Sequence, residues 1–258
     1  MSARLERSVS GAWVRRAHVV RLAAVGSGQG ASVLSLFSGG GSFEAAVFRA
    51  VPHAVCVTVD MRASQHPTHC TDILTWDYRS AIKPGDFDVV WASPPCTEYS
   101  VAKTVGVRNL AQADACVLRA FEIIDYVKPR VWFMENPATG LLPERMKSLR
   151  PGLSSALVDY CQYGYPYRKR TCIWSNLPHL SHGLRLCPGR EECLQMQGGR
   201  HRGTVGGGGG PLNRDQLRFS LAQKNSIPDE LVDWLFWRAT GGVVVLPPAL
   251  DEPEAGGA

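Results

Sequence analysis

Short runs of β-branched and apolar residues alternate along the chain with stretches whose apolar positions recur every three or four residues. Strands are predicted at Val33 to Phe37, Ala54 to Val59, Asp88 to Ala92, Val131 to Met134 and Ala156 to Tyr160, with a further strand-like run from Thr171 to Trp174. Between the third and fourth strands, Leu110, Ala113, Val117, Phe121, Ile124 and Val127 fall on one face of a helix, which Lys128-Pro129 stops. Asp229 to Trp237 reads as a capped helix with Leu231, Trp234, Leu235 and the stem of Arg238 on one side. This alternation predicts an α/β domain with a mostly parallel sheet.

The pattern also marks its own limits. Residues 1–31 carry Arg4, Arg7, Arg15, Arg16 and Arg21 against Glu6 and have no sustained apolar period, so they read as a basic tail: a targeting segment or an arm that helps hold nucleic acid. The core spans 32–176. Residues 177–212 form an irregular insertion closed by the linker Gly206 to Gly210, residues 213–241 return to the core, and 242–258 form a Pro-, Gly- and acid-rich tail.

The chain has 258 residues, 45% of them hydrophobic and 20% charged, enough for one sizeable core and too apolar for a disordered protein. No run reaches the roughly 18 uncharged apolar residues of a membrane span, so a soluble protein without a membrane partner is expected. Eight cysteines lie mostly in apolar runs of a mid-sized chain, which predicts free thiols in a reducing, intracellular compartment. That compartment is the nucleus or an organelle for a eukaryotic chain, the cytoplasm for a prokaryotic or viral one. A net charge of +5 permits a polyanionic partner without demanding one.

Four clusters at strand ends carry chemistry. The first strand runs into Phe37-Ser38-Gly39-Gly40-Gly41, where glycines let the backbone turn tightly and approach a ligand at the carboxyl edge of the sheet. Asp60 ends the next strand, where an acid can accept from ribose hydroxyls, and Asp72, followed by Ile73, is a polar contact for an adenine ring. A plain turn and solvated acids are the competing readings. In Ser93-Pro94-Pro95-Cys96-Thr97-Glu98-Tyr99-Ser100 the prolines stiffen a loop that projects Cys96 at the rim, where a nucleophile is wanted; an inert core cysteine is the alternative. Met134-Glu135-Asn136-Pro137 puts a carboxyl group on the same rim, as a functional acid or a helix cap. Tyr163-Gly164-Tyr165-Pro166-Tyr167-Arg168-Lys169-Arg170 is a turn followed by three cations, suited to phosphate contacts or simply solvated.

Read in order, these clusters resemble the motifs of the cytosine-5 DNA methyltransferases. The glycine motif is matched by Phe37, Ser38, Gly39, Gly40 and Gly41, the Pro-Pro-Cys loop by Pro94, Pro95, Cys96 and Ser100, and the Glu-Asn pair by Glu135 and Asn136. Tyr163, Gly164, Pro166, Arg168 and Arg170 match the Tyr-Gly-x-Pro plus Arg-x-Arg element, and Asn225, Ser226, Ile227 and Pro228 match the closing Asn-Ser-hydrophobic-Pro element. The resemblance implies a Rossmann-like fold with helices on both faces of the sheet, S-adenosylmethionine as cofactor and DNA as partner, the target base being flipped from its stack. It makes Cys96 the nucleophile, Glu135 the acid at ring nitrogen 3, and Arg168 or Arg170 the cation at the base carbonyl or a phosphate. Phe37, Ser38, Gly39, Gly41, Asp60, Asp72, Asn225 and Ser226 would hold the cofactor, and Pro95, Ser100 and Asn136 the substrate.

The sequence departs from the family pattern at Ser35, where Asp is usual, Thr97 (Gln), Pro137 (a small apolar residue) and Lys224 (Gly). The arginine element is one residue short, and the insertion is small for a target-recognition region. A methyltransferase of exocyclic amino groups, a transfer RNA cytosine-5 methyltransferase and a non-catalytic binding module stay open as alternatives. Within the insertion, Cys187, Cys193 and His201, with His179 and His182 upstream, form a candidate structural zinc site whose fourth ligand is open; two ordinary free thiols are the alternative.

Overall fold

The computed structural model describes residues 31–51, 53–189, 192–205, 217 and 219–239. The basic tail expected for 1–31, all but its last residue, the Gly206 to Gly210 linker and the 242–258 tail lie outside them. The predicted strands form β1 (Ser32–Leu36), β2 (Val55–Asp60), β4 (Val89–Ala92), β5 (Val131–Pro137), β6 (Ser155–Asp159) and β7 (Arg170–Ser175), and a short β3 (His69–Cys70) follows β2. The helices are α1 (Ser42–Ala50), α2 (Tyr78–Ala81), α3 (Leu110–Val127), α4 (Leu142–Leu149), α5 (Leu221–Asn225) and α6 (Asp229–Ala239), while β8 (Met196–Gln197) and β9 (Arg200–His201) pair within the insertion.

A seven-stranded sheet runs in the order β3-β2-β1-β4-β5-β7-β6, with β7 antiparallel to both of its neighbours and the other pairs parallel. Alternate residues of each strand face opposite layers. Leu34, Leu36, Val90, Met134 and Trp174 pack on one side with Val117, Phe121 and Ile124 of α3, Tyr78 of α2 and Met146 of α4. Val33, Val89, Trp91, Phe133 and Ile173 pack on the other with Phe43 and Val47 of α1 and Leu231, Val232, Leu235 and Phe236 of α6. Helices on both faces explain why the central strands read as unbroken apolar runs. Among the described residues no helix is long and apolar enough to cross a membrane.

The helix read from its spacing is α3. The Asn109 side chain accepts from the Gln112 amide at its start, and Lys128 in the left-handed region, followed by Pro129, ends it. Strand β5 runs three residues past its predicted end because Glu135, Asn136 and Pro137 stay paired with Ile173, Cys172 and Thr171 of β7. This extension carries the Glu-Asn pair on the sheet rather than on a loop. Elements α2, α5, β3, β8 and β9 have no counterpart in the sequence reading, since about one helical turn or a two-residue strand has no period to detect, and α4, with only Leu142 and Met146 buried, shows little more.

Candidate active site

Beyond β1 the chain enters the left-handed region at Phe37 (φ 60°), Gly39 (φ 54°) and Gly41 (φ 72°). For a phenylalanine this conformation costs on the order of 1 kcal/mol, so the turn must be held from outside. The Ser38 amide donates to the Val59 carbonyl at 3.2 Å, and the Gly39 amide to Asp60 Oδ2 at 2.9 Å. The other carboxylate oxygen accepts the Arg62 amide at 2.9 Å and Nε at 3.2 Å. Asp60 therefore ties the glycine loop to the end of β2. The closing motif reaches the same place: the Ile227 amide donates to Ser42 Oγ, at the start of α1, and the Ser226 hydroxyl lies 2.7 Å from that of Tyr165. Asp72 uses its Oδ1 to cap its own turn at the Leu74 amide, and Ile73 is buried in the core.

The Pro-Pro-Cys loop leaves β4 and is fastened at three points. Asn136, 2% exposed, donates from Nδ2 to the Pro94 carbonyl at 2.8 Å. Its Oδ1 is buried without a hydrogen-bond partner among the described residues. Tyr99 is fully buried; its amide donates to the Cys96 carbonyl and its hydroxyl to Asp114 Oδ1 at 2.9 Å, and Arg145 closes an ion pair on the same carboxylate. A hydrogen bond to a charged partner contributes about 1.5–3 kcal/mol. Further along, the Glu98 carboxylate holds Lys103 and the Asn109 amide, the Ser100 hydroxyl accepts the Ala102 amide, and Pro95 stays exposed. Cys96 itself is half-buried.

Glu135, 5% exposed, accepts from the Tyr160 hydroxyl at 3.1 Å and faces Lys169 Nζ at 3.5 Å. The same ammonium stands 4.8 Å from the centre of the Tyr160 ring. Burial pushes the Cys96 thiol above its ordinary range, the Glu135 charge adds to this, and Lys169 opposes both. The carboxylate and the ammonium thus act on the thiol in opposite senses.

The arginines take another place. Arg168 Nε and Arg170 Nε lie 3.2 and 3.1 Å from Asp159 Oδ1, and Arg170 Nη2 lies 2.7 Å from Oδ2. Burial alone would raise the Asp159 carboxyl, but Arg170, the Cys187 amide and Arg168 together hold it below the usual range. Lys169, between the two arginines in the segment that leads into β7, reaches Glu135 instead. Both arginines expected at the base carbonyl or a phosphate are thus held on Asp159, and the cation that stands at Glu135 is Lys169. Lys169 was not singled out in the sequence because the motif directs attention to its neighbours, and Tyr160 and Asp159 carry no motif signal.

The chain is 35% identical over 178 residues to the "Probable DNA (cytosine-5)-methyltransferase" of Frog virus 3 (isolate Goorha), an alignment spanning 64% of this chain and 78% of that protein. The chain belongs to the DNA (cytosine-5)-methyltransferase family. No protein-family model matches the sequence. A solved protein described as a DNA modification methyltransferase encoded within an E. coli prophage superposes with a TM-score of 0.42 at 14% identity, covering 56% of this chain and 46% of that one. For a member of this family the glycine turn is the expected S-adenosylmethionine cradle, and its residues fit: left-handed glycines expose backbone at the strand end, and Asp60 supplies a carboxylate beside them.

Proposed function

We propose that this methyltransferase modifies carbon 5 of cytosine in DNA through a covalent adduct at Cys96. The observation that carries the reading is the buried Glu135–Lys169 pair at the carboxyl edge of the sheet, where the loop bearing Cys96 and the glycine turn leave the neighbouring parallel strands. Phe37, Ser38, Gly39, Gly41, Asp60 and Ser226 would hold S-adenosylmethionine, with Asn225 and Asp72 at the margin; when bound, the cofactor supplies an electrophilic methyl group.

Carbon 5 of cytosine is a poor nucleophile until carbon 6 is attacked. Cys96 forms the S–C6 bond, its thiol proton leaving to the Glu135 carboxylate, which protonates ring nitrogen 3 as negative charge develops there. The adduct is an enamine, nucleophilic at carbon 5. After methylation the carbon 5 proton leaves to a water molecule, the S–C6 bond breaks, and the nitrogen 3 proton returns through Glu135 to the departing Cys96 sulfur. Lys169 lowers the cost of the thiolate and orients Glu135, with the Tyr160 hydroxyl on the same carboxylate oxygen. The target base has to leave its stack to meet Cys96, at a cost of a few kcal/mol that phosphate contacts offset. Exposed Pro95, Ser100 and the free side of Asn136 are the groups nearest that base.

A duplex carrying 5-fluorocytosine tests this. Fluorine cannot leave as a proton does, so wild-type protein should be trapped as a protein–DNA adduct whose mass maps to Cys96. Cys96→Ser should lose both trapping and methylation while still binding S-adenosylhomocysteine. Methyl transfer persisting in Cys96→Ser would transfer the reading to amino-group chemistry, and transfer to tRNA but not DNA would overturn the substrate.

A further inference from the structure

We propose that Cys161, Cys187, Cys193 and His201 bind one zinc ion that fastens the insertion to the catalytic sheet. The four ligand atoms lie within 4.8 Å of one another, three thiols and one imidazole, one of them from the catalytic core and three from the insertion. Cys161 sits in the 3-10 turn that follows β6, Cys187 and Cys193 belong to the insertion, and His201 ends β9. The turn supplies the ligand that the sequence left undetermined. His179 and His182 are not part of the cluster; they stack on each other at 5.2 Å.

The spacing suits a metal. His201 Nε2 is 3.6 Å from Cys187 Sγ and 3.6 Å from Cys193 Sγ. With Zn–S of about 2.3 Å and Zn–N of about 2.0–2.1 Å, a tetrahedral centre requires N···S separations of about 3.5–3.6 Å. Three sulfurs and one nitrogen are also a donor set that zinc takes in closed, structural sites. Around them, Gln162 Nε2 donates toward Cys193 Sγ at 3.4 Å and Cys161 Sγ at 3.8 Å, the outer-shell contact that steadies thiolate ligands. The insertion needs such a fastening. Among the described residues of 177–205 the buried hydrophobics are Leu180 and Cys193, whereas Leu186 and Leu194 are exposed. A segment with so little core draws its folding free energy from ligation.

The test uses the full chain, purified and passed over chelating resin. Elemental analysis should find about one zinc per chain, the stoichiometry of a closed site. Replacement by cobalt should give the visible bands of a tetrahedral centre together with sulfur-to-metal charge transfer, which should lose about a third of its intensity in Cys161→Ser. Gln162→Leu, which leaves all four ligands, should weaken zinc about tenfold against a competing chelator. Metal-free protein that takes up no cobalt, with these thiols labelled as fast as exposed Cys70, would overturn the proposal. So would an intact mass lighter by a pair of hydrogens, which reports a disulfide within the cluster. Neither outcome bears on methyl transfer.

Discussion

Lys169→Met separates the chemistry assigned to the rim from the ion pairs behind it. Lys169 and Glu135 have side chains only 12% and 6% exposed and stand 3.5 Å apart, so solvent screens them little. At an effective dielectric constant of 20 two unit charges at that distance attract by about 5 kcal/mol, an upper bound because each also loses hydration. Removal of one preorganised electrostatic partner from an active site typically costs about 10²–10³ in turnover. A loss of about a hundredfold in kcat/KM is therefore expected, with Lys169→Arg recovering most of it. The pH profile adds a signature that a packing defect would not give. Burial and Glu135 already raise the Cys96 thiol, and Lys169 is the group opposing them, so its removal should move the acidic limb of kcat/KM to higher pH. Methylation of a labelled duplex from pH 6 to 10, alongside trapping by 5-fluorocytosine, measures both quantities. Arg168→Gln should leave the profile where it is. An unshifted limb and near-normal kcat/KM in Lys169→Met, with turnover lost instead in Arg168→Gln, would refute the assignment of the cation.

Glu44 is 6% exposed, its carboxylate oxygens lack hydrogen-bond partners among the described residues, and burial raises its pKa. The folded state then holds a proton that the unfolded state gives up above about pH 4.3, so stability should fall as pH rises through that window. Glu44→Gln should flatten this slope and raise the melting temperature at pH 8; an unchanged or lower value counts against it. Asp159→Asn should lower stability by about 3 kcal/mol in urea titration, since it removes the carboxylate shared by two arginines and the Cys187 amide, while a loss under 1 kcal/mol would show the pairs to be dispensable. Gly39→Ala and Gly152→Ala both place a side chain at positive φ, but only at Gly39 would the new Cβ meet a neighbour, the Arg62 guanidinium at 3.2 Å. Calorimetry should find S-adenosylhomocysteine about tenfold weaker for the first alone, and equal affinities would detach the glycine turn from cofactor binding.

The strands and the long helix were legible because their apolar periods extend over enough residues to be counted. Val232 and Phe236 of α6 escaped notice beside Leu231 and Leu235, since a helix lying across two neighbouring elements buries more than one stripe. At the site, Cys96, Glu135 and the glycine turn were readable from residue type and place at strand ends. Tyr160 and Cys161 were not: both follow β6 without any motif of their own, and only the pairing of β6 with β7 brings them to Glu135 and to the insertion. Contacts of that kind are set by topology, which a local pattern does not encode.

The antiparallel pairing of β7 leaves a choice of frame. A slip of one residue would exchange the two sides of the strand and change which of Arg168, Lys169 and Arg170, at its entrance, meets Glu135. What opposes the slip is the burial of Thr171 to Ser175 together with the lock of Arg168 and Arg170 on a fully buried carboxylate. Asp159, which the proposed chemistry does not use, thereby helps decide which cation stands beside Glu135.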